Sequence, residues 1–394
     1  MVLTHPFRCP THVVEGCNYD EATAAVLNGR PWTLITSAGW HERDAVAALA
    51  ARCGSPVAII DGVEANPSIS NVVSLAKEVH ECDVIVALGG GSVLDASKGI
   101  IALCGLELDS APLIQHLSEG SALPSSMPAL PLIAIPTTSG TGSEVTQWGT
   151  IWGDDGIKFS VTDPKLRPSH AILDPRLSLS MPYALTLATG LDALSHAMES
   201  VWNRRHTAIT DAISTAAIKL IWTHLEAALK SPDDIELRGH IQTASLMAGL
   251  AMGTTQTALA HSISYPFTAR CGIPHGIACS FTLAEVARFN LATSAERLRP
   301  IAEGLGCDIY EIPETIERWY DKLGLGMEIL KYVTPEITDG FKDNLITRAR
   351  AANNVREIDG ASAKLLARAA LERICGTGSN QRAISAGNLA RFNQ

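Results

Sequence analysis

The sequence predicts two domains: an α/β domain with a parallel sheet at residues 1–181, and an all-α domain at residues 182–394. Three observations support this division. The length of 394 residues suits two domains of ordinary size. In the first part, short continuous apolar runs alternate with helical segments, as in a parallel sheet covered on both faces. After about Pro182, long segments rich in alanine and leucine replace the apolar runs.

Apolar runs and their turn residues place the individual elements. The predicted strands are residues 33–36, 57–61, 83–88 and 132–136, and a helix is predicted over residues 42–53. The second domain contains predicted helical segments at residues 183–202, 207–230, 237–260, 281–293 and 362–373.

The charge and cysteine content of the chain indicate which classes of binding partner and which cellular compartment to expect. The formal net charge is −10 and no basic cluster stands out, which argues against nucleic acid and anionic membranes. No stretch is long and apolar enough to span a bilayer. The nine cysteines are scattered and include no Cys-x-x-Cys motif, as expected of reduced thiols in a cytoplasmic protein.

The strongest chemical signal is a set of histidines with one aspartate. Asp192 and His196 are four residues apart in a predicted helix, so their side chains share one face. His261 and His275 follow downstream. One carboxylate and three imidazoles can bind a divalent transition metal. The alternative is a surface pair or a satisfied buried hydrogen bond, but small apolar neighbours favour burial, where histidines need partners.

Two polar loops follow predicted strands. Gly89, Gly90, Gly91 and Ser92 form a glycine-rich strand-to-helix turn that could approach a phosphate, and Asp95 lies on the helix that follows. The turn is not a Gly-x-Gly-x-x-Gly motif, so a tight structural turn explains it equally well.

The second loop, residues 136–144, contains Thr137, Thr138 and Ser143 after a buried strand. Its hydroxyl groups suit a ribose or pyrophosphate, or else they cap a helix. Both loops lie at the carboxyl ends of strands, where parallel sheets bind ligands.

Five ordered blocks, at residues 62–67, 89–98, 136–144, 188–199 and 261–276, resemble the iron-containing, or group III metal-dependent, alcohol dehydrogenases over nearly the whole chain. The resemblance implies the dehydroquinate synthase-like architecture, a homodimer or higher homo-oligomer, a small aldehyde or alcohol substrate, and NAD(P)H. It implies one divalent metal on Asp192, His196, His261 and His275, with Fe(II) expected and zinc an alternative. The implied cofactor-binding residues are Ser37, Asn66, Gly89, Gly90, Gly91, Ser92, Asp95, Thr137, Thr138, Ser143 and Lys158, with Lys158 near the nicotinamide.

Two positions depart from the family pattern. Ser37 stands where many members have an aspartate that meets the adenosine ribose, so NADP becomes plausible. Tyr265 replaces a histidine near the reacting carbon. Its hydroxyl could donate a proton, or its ring could form an apolar wall, which a tyrosine's weak acidity favours. Because Pro266 follows, we expect the helix to end or kink at Tyr265.

Short matches at residues 199–204, 262–268 and 272–276 resemble the phosphonoacetaldehyde reductase branch, which would produce 2-hydroxyethylphosphonate. Arg270 and Arg204 are then candidate phosphonate ligands, or else solvated surface residues. Three alternatives are a general small-alcohol dehydrogenase, a dehydroquinate synthase-like lyase that uses NAD and zinc, and a non-catalytic metal or nucleotide sensor.

Overall fold

The computed structural model describes residues 6–154, 157–341 and 345–376. A six-stranded parallel sheet forms the centre of the N-terminal part, in the order β1-β8-β5-β4-β2-β3, and β6 and β7 form a separate antiparallel hairpin. The strands are β1 (His12–Glu15), β2 (Trp32–Ile35), β3 (Ala58–Ile60), β4 (Val84–Gly89), β5 (Leu132–Pro136), β6 (Trp148–Trp152), β7 (Lys158–Thr162) and β8 (His170–Leu173).

Both faces of the sheet are covered. In β4, Val84 and Val86 pack into the cluster on one face, whereas Ile85 and Ala87 pack into the cluster on the other. This alternation follows from the two-residue period of a strand. The predicted α/β domain with its doubly covered parallel sheet is therefore confirmed. The covering helices are α1 (Tyr19–Leu27), α2 (Ala38–His41), α3 (Asp44–Cys53), α4 (Ile69–Ala76), α5 (Gly91–Gly105) and α6 (Ala111–Glu119).

The rest of the described chain is helical. The helices are α7 (Tyr183–Val201), α8 (Ala208–Lys230), α9 (Ile235–Thr255), α10 (Leu259–Cys271), α11 (His275–Ser280), α12 (Leu283–Ser294), α13 (Arg299–Leu305), α14 (Ile312–Leu323), α15 (Leu325–Ile329), α16 (Arg348–Ala351) and α17 (Gly360–Gly376). Short 3₁₀ helices cover Ser143–Val145, Pro164–Leu166, Pro175–Ser178, Ala295–Leu298, Ile309–Glu311 and Pro335–Gly340. None of the described helices is long and apolar enough to cross a bilayer.

The structure corrects two helix boundaries. The segment predicted as one helix over residues 237–260 is two helices, since α9 ends at Thr255 and α10 begins at Leu259. The break contains Gln256, whose φ of 65° is incompatible with a continuing helix. An end of the helix at Tyr265 is also wrong, because α10 continues through Pro266 to Cys271.

The sheet places three loops side by side. Thr36 Oγ1 donates to Leu88 O at 2.7 Å, and Thr137 N donates to Gly89 O at 3.0 Å. The carboxyl ends of β2, β4 and β5 therefore meet at one edge. The loop after β5 also touches the helical part, because a Cβ on Gly142 would lie 2.4 Å from Gly249 Cα on α9. Glycine at position 142 permits this close approach.

Candidate metal and cofactor site

Three helices bring the predicted metal ligands together. Asp192 and His196 lie one turn apart on α7, His261 lies in α10, and His275 begins α11. Asp192 Oδ1 is 3.7 Å from His196 Nε2 and 3.5 Å from His261 Nε2. The rings of His196 and His261 stack with their centroids 4.7 Å apart. These contacts form a buried pocket lined by nitrogen and oxygen donors.

Two atoms in this pocket lack a hydrogen-bond partner. Asp192 Oδ1 and His261 Nε2 are both buried and unpaired, and they face each other. Because a neutral His261 donates from Nδ1, its Nε2 presents a lone pair to a carboxylate oxygen. Two facing acceptors repel unless a cation or proton lies between them. The donor set and its orphaned atoms therefore fit a divalent metal.

Glu199 is a functional residue that the sequence reasoning did not single out. It is fully buried, and Oε2 accepts from His261 Nδ1 at 2.6 Å and from Ala258 N at 2.8 Å. Oε1 accepts from Ala260 N at 2.5 Å and His261 N at 3.2 Å. This carboxylate fixes the tautomer in which Nε2 is free for a metal. The sequence does contain a signal for Glu199, because a residue seven positions after Asp192 in a helix lies on the same face.

A close helix approach sets the position of His275. A Cβ on the next residue, Gly276, would lie 1.8 Å from Ala188 O and 3.0 Å from Asp192 Cβ. Any side chain at position 276 would push α11 away from α7, and His275 would move with it. The glycine of the Pro-His-Gly segment is thus explained by packing.

The electrostatics of the pocket suit metal ligation. Burial lowers the pKa of His196, and burial together with Lys158 lowers the pKa of His275 well below its usual value. Both rings are therefore neutral, the form that binds metals. Burial raises the pKa of Asp192, but the neighbouring imidazoles of His196, His261 and His275 outweigh burial, lower the pKa and keep the carboxylate ionised.

His261 behaves differently in the metal-free protein. Burial lowers its pKa, but Cys279, Glu199 and the nearby Asp192 carboxylate raise it well above the usual value. A proton on His261 is the other way to satisfy the two facing acceptors.

Lys158 and Tyr265 lie beside the ligands. Lys158 Nζ is 3.4 Å from His275 Nε2 and 4.9 Å from the centroid of the Tyr265 ring. The Tyr265 ring stacks with His275 at a centroid distance of 6.3 Å. Tyr265 therefore borders the pocket through its ring.

The predicted cofactor loops are adjacent and tightly packed. A Cβ on Gly89 would lie 2.5 Å from Val93 Cγ2, one on Gly90 would lie 3.1 Å from Thr138 Cγ2, and one on Gly91 would lie 2.6 Å from Thr141 Cγ2. Packing alone therefore requires glycine at 89 and 91. One feature points towards a ligand, since Thr137 Oγ1 is buried and unpaired. Asn66 N donates to Ser92 Oγ at 3.2 Å, which joins the segment after β3 to the glycine-rich turn.

Asp95 and Ser143 form a network within the protein. Ser143 Oγ donates to Asp95 Oδ1 at 2.6 Å, and Thr150 N donates to Asp95 Oδ2 at 2.8 Å. The buried Lys98 ammonium donates to Ser143 O and to Trp148 O at 2.8 and 2.7 Å. These bonds join α5 to the loop after β5. Asp95 and Ser143, which the resemblance assigns to the cofactor, therefore fix the position of this loop relative to α5.

The same loop reaches the metal pocket. His196 Nδ1 donates to Gly140 O at 3.3 Å, which leaves Nε2 facing Asp192. The polar loop after β5 and the ligand helix α7 therefore share one hydrogen bond. A cofactor held by the loop would lie next to the metal ligands.

Ser37 lies in the loop after β2, at the same sheet edge as the two polar loops. It precedes α2, and its side chain does not cap that helix. It forms an isolated β-bridge with Gly62, beside Asp61, whose carboxylate lies 2.5 Å from His41 Nδ1. A carboxylate is thus present near Ser37, but it is paired with a histidine.

The two predicted substrate arginines are engaged elsewhere. Arg204 donates to Asn354 O at 2.9 Å and to Glu357 Oε1 at 3.1 Å. Arg270 is exposed, with its guanidinium carbon 5.6 Å from the Phe341 ring centroid. Within the described residues, neither guanidinium hydrogen-bonds a predicted metal ligand.

Known families match almost the whole chain. Residues 10–175 match the iron-containing alcohol dehydrogenase family, and residues 186–379 match the C-terminal part of the same family. The NAD-dependent methanol dehydrogenase of Bacillus methanolicus is 36% identical over 282 residues, which cover 69% of this chain and 72% of that protein.

Two further relatives act on aldehydes that carry an acidic group. The phosphonoacetaldehyde reductase of Streptomyces viridochromogenes is 35% identical over 68% of this chain and 65% of its own length. The sulfoacetaldehyde reductase of Bifidobacterium kashiwanohense, solved with NAD⁺, superposes with a TM-score of 0.84 at 29% identity, covering 93% of this chain and 98% of that one.

We expect Glu199→Gln to lower metal affinity by about 10- to 100-fold. All four hydrogen bonds to Glu199 come from donors, so a glutamine NH₂ group would oppose two of them. Metal titration of the apoprotein, with circular dichroism as the folding check, measures the effect. Glu285→Gln, at another buried glutamate, is the matched control. Equal affinity in a folded Glu199→Gln protein would contradict this role.

Proposed function

This chain belongs to the iron-containing alcohol dehydrogenase family of oxidoreductases, and we propose that it transfers hydride reversibly between a nicotinamide cofactor and the carbonyl carbon of a small aldehyde. The metal ligands in this proposal are the buried set Asp192, His196, His261 and His275. The observation that carries the proposal is the pair of facing, unpaired acceptors, Asp192 Oδ1 and His261 Nε2.

The metal and the protein have separate tasks. A divalent cation in the pocket supplies Lewis acidity towards the substrate oxygen. Glu199 orients His261, and Gly140 O orients His196. The loops after β2, β4 and β5 bind the cofactor, which the Gly140–His196 hydrogen bond brings next to the ligands. The substrate proton comes from water, from the cofactor ribose or from Tyr265.

We favour the role in which the Tyr265 ring forms an apolar wall of the pocket over the role in which its hydroxyl donates a proton. Its ring stacks with His275 and lies under the Lys158 ammonium, so the aromatic face contributes to the pocket. In this role Tyr265 shapes the apolar side of the substrate site and limits access of water.

A dehydrogenase is favoured over a lyase and over a sensor. A dehydroquinate synthase-like substrate carries a phosphate and needs several cations, whereas Arg204 and Arg270 are directed away from the ligands. A sensor needs no metal site next to a nicotinamide site. The named dehydrogenases among the relatives favour redox chemistry.

We further propose that the substrate is an aldehyde with an anionic group, such as phosphonoacetaldehyde, rather than a neutral small aldehyde. Two of the relatives act on aldehydes of this kind. Lys158 supports the proposal, since its ammonium lies 3.4 Å from His275 Nε2 at the pocket. We assign the cation role to Lys158 in place of Arg204 and Arg270.

We expect Asp192→Ala and His261→Ala each to abolish aldehyde reduction and to reduce bound metal in parallel, because each removes a ligand and leaves the opposite acceptor unpaired. Metal analysis and absorbance of the reduced nicotinamide measure the two effects. His240→Ala, at a histidine of α9, is the control. Full metal occupancy in both ligand variants would show that the ligand assignment is wrong.

We expect wild type to use NADPH at least as well as NADH, and Ser37→Asp to shift the ratio of kcat/KM towards NADH by roughly 10-fold or more. The added carboxylate would repel a 2′-phosphate and accept from a ribose hydroxyl. Ser37→Asn adds a side chain of the same size as aspartate but without charge, so it separates the effect of charge from the effect of size. A wild type that strongly prefers NADH would refute this account of Ser37.

We expect Lys158→Met to raise KM for phosphonoacetaldehyde by about 10- to 100-fold relative to KM for butanal, since a charge-assisted hydrogen bond is lost. Steady-state kinetics with both aldehydes measure the ratio. Arg204→Met and Arg270→Met should leave it unchanged. An equal loss for both substrates would instead assign Lys158 to the cofactor alone.

A further inference from the structure

A cysteine lies among the candidate metal ligands. Cys279 is fully buried one turn after His275 on α11, so both side chains share a face of that helix. Its Sγ is 3.5 Å from His275 Nε2 and 3.4 Å from Ser264 Oγ. One donor atom from each of Asp192, His261, His275 and Cys279 lies within 4.8 Å of the other three.

The pocket therefore contains two sets of four donors that share three members. One set is completed by His196 and the other by Cys279. His196 Nε2 is 3.7 Å from Asp192 Oδ1, and its position is fixed by Gly140 O. Cys279 approaches from α11, on the side of His275. Both completing side chains therefore border the same three shared donors, His196 next to Asp192 and Cys279 next to His275.

The hydrogen bonds of Cys279 distinguish it from a core-filling thiol. A buried cysteine often acts as a small hydrophobe. Here the Ser264 hydroxyl donates to His261 O at 2.8 Å, so its oxygen is free to accept the Cys279 thiol proton. The thiol proton is thus bound by Ser264, while the sulfur lies within 4.8 Å of the ligand atoms of Asp192 and His261.

We propose that Cys279 is a sulfur donor of the metal centre and that it biases the site towards zinc over Fe(II). The inference rests on the proposed metal-binding function. Sulfur is a soft donor that zinc accepts readily, and Fe(II) binds the same donors more weakly. Nitrogen and oxygen donors alone also bind zinc more tightly than Fe(II), and the soft sulfur donor increases that preference.

Cobalt substitution tests the proposal without an activity assay. Apoprotein loaded with Co²⁺ should show a near-ultraviolet sulfur-to-cobalt charge-transfer band in wild type and in Cys307→Ser, and no such band in Cys279→Ser. Competition between Zn²⁺ and Fe²⁺ under anaerobic conditions should show the zinc preference falling about tenfold or more in Cys279→Ser. A band that persists in folded Cys279→Ser would overturn the assignment.

If Cys279→Ser fails to fold, X-ray absorption spectroscopy of the zinc-loaded wild type tests the proposal instead. A sulfur neighbour at about 2.3 Å, besides nitrogen and oxygen at about 2.0–2.2 Å, supports the proposal. Stoichiometric zinc with only nitrogen and oxygen neighbours overturns it and leaves the metal site intact. Failure of the wild type to bind Co²⁺ or Zn²⁺ overturns the metal site as well.

Discussion

The buried contact between Asp192 Oδ1 and His261 Nε2 is the constraint on which the rest of the site depends. Two acceptors held 3.5 Å apart without water are unfavourable unless positive charge joins them. Glu199 enforces this arrangement, because its two oxygens accept four hydrogen bonds from α10 and the residues just before it. In the proposed metal site, this buried carboxylate holds His261 in the orientation that a metal would need.

The fold keeps this arrangement in place through close backbone contacts. Gly276 lets α11 approach Ala188 on α7, Gly140 packs against Thr189, and Gly142 meets Gly249. The first contact sets the position of His275 relative to Asp192. The other two press the loop after β5 onto the helical part, so the cofactor loop and the metal ligands have a fixed relation. Larger residues would separate two functions that must lie side by side.

Sequence patterns predicted the parts that follow from periodicity. The strands of the sheet interior, such as β4 and β5, are continuous apolar runs, whereas β1 and β8 each contain a polar histidine, which breaks the apolar pattern that predicts a buried strand. The four-residue spacing that predicts a shared helix face for Asp192 and His196 also relates His275 to Cys279. Proximity in sequence to the motifs suggests Arg204 and Arg270 as substrate ligands, but Arg204 bonds Asn354 and Arg270 lies against Phe341.

Charge balance links the metal proposal to the substrate proposal. A divalent cation and Lys158 together carry one more positive charge than Asp192 and Glu199 offset. Excess charge in a buried pocket is unfavourable, so a further anion is needed. A sulfur donor from Cys279 would offset the cation at one side, next to His275. With a Cys279 thiolate the sum of these charges is zero. If Cys279 remains a neutral thiol, an anionic group on the substrate, beside the partly buried Lys158, would supply the missing negative charge. The sulfur donor and the substrate anion are thus two alternative ways of meeting one electrostatic requirement.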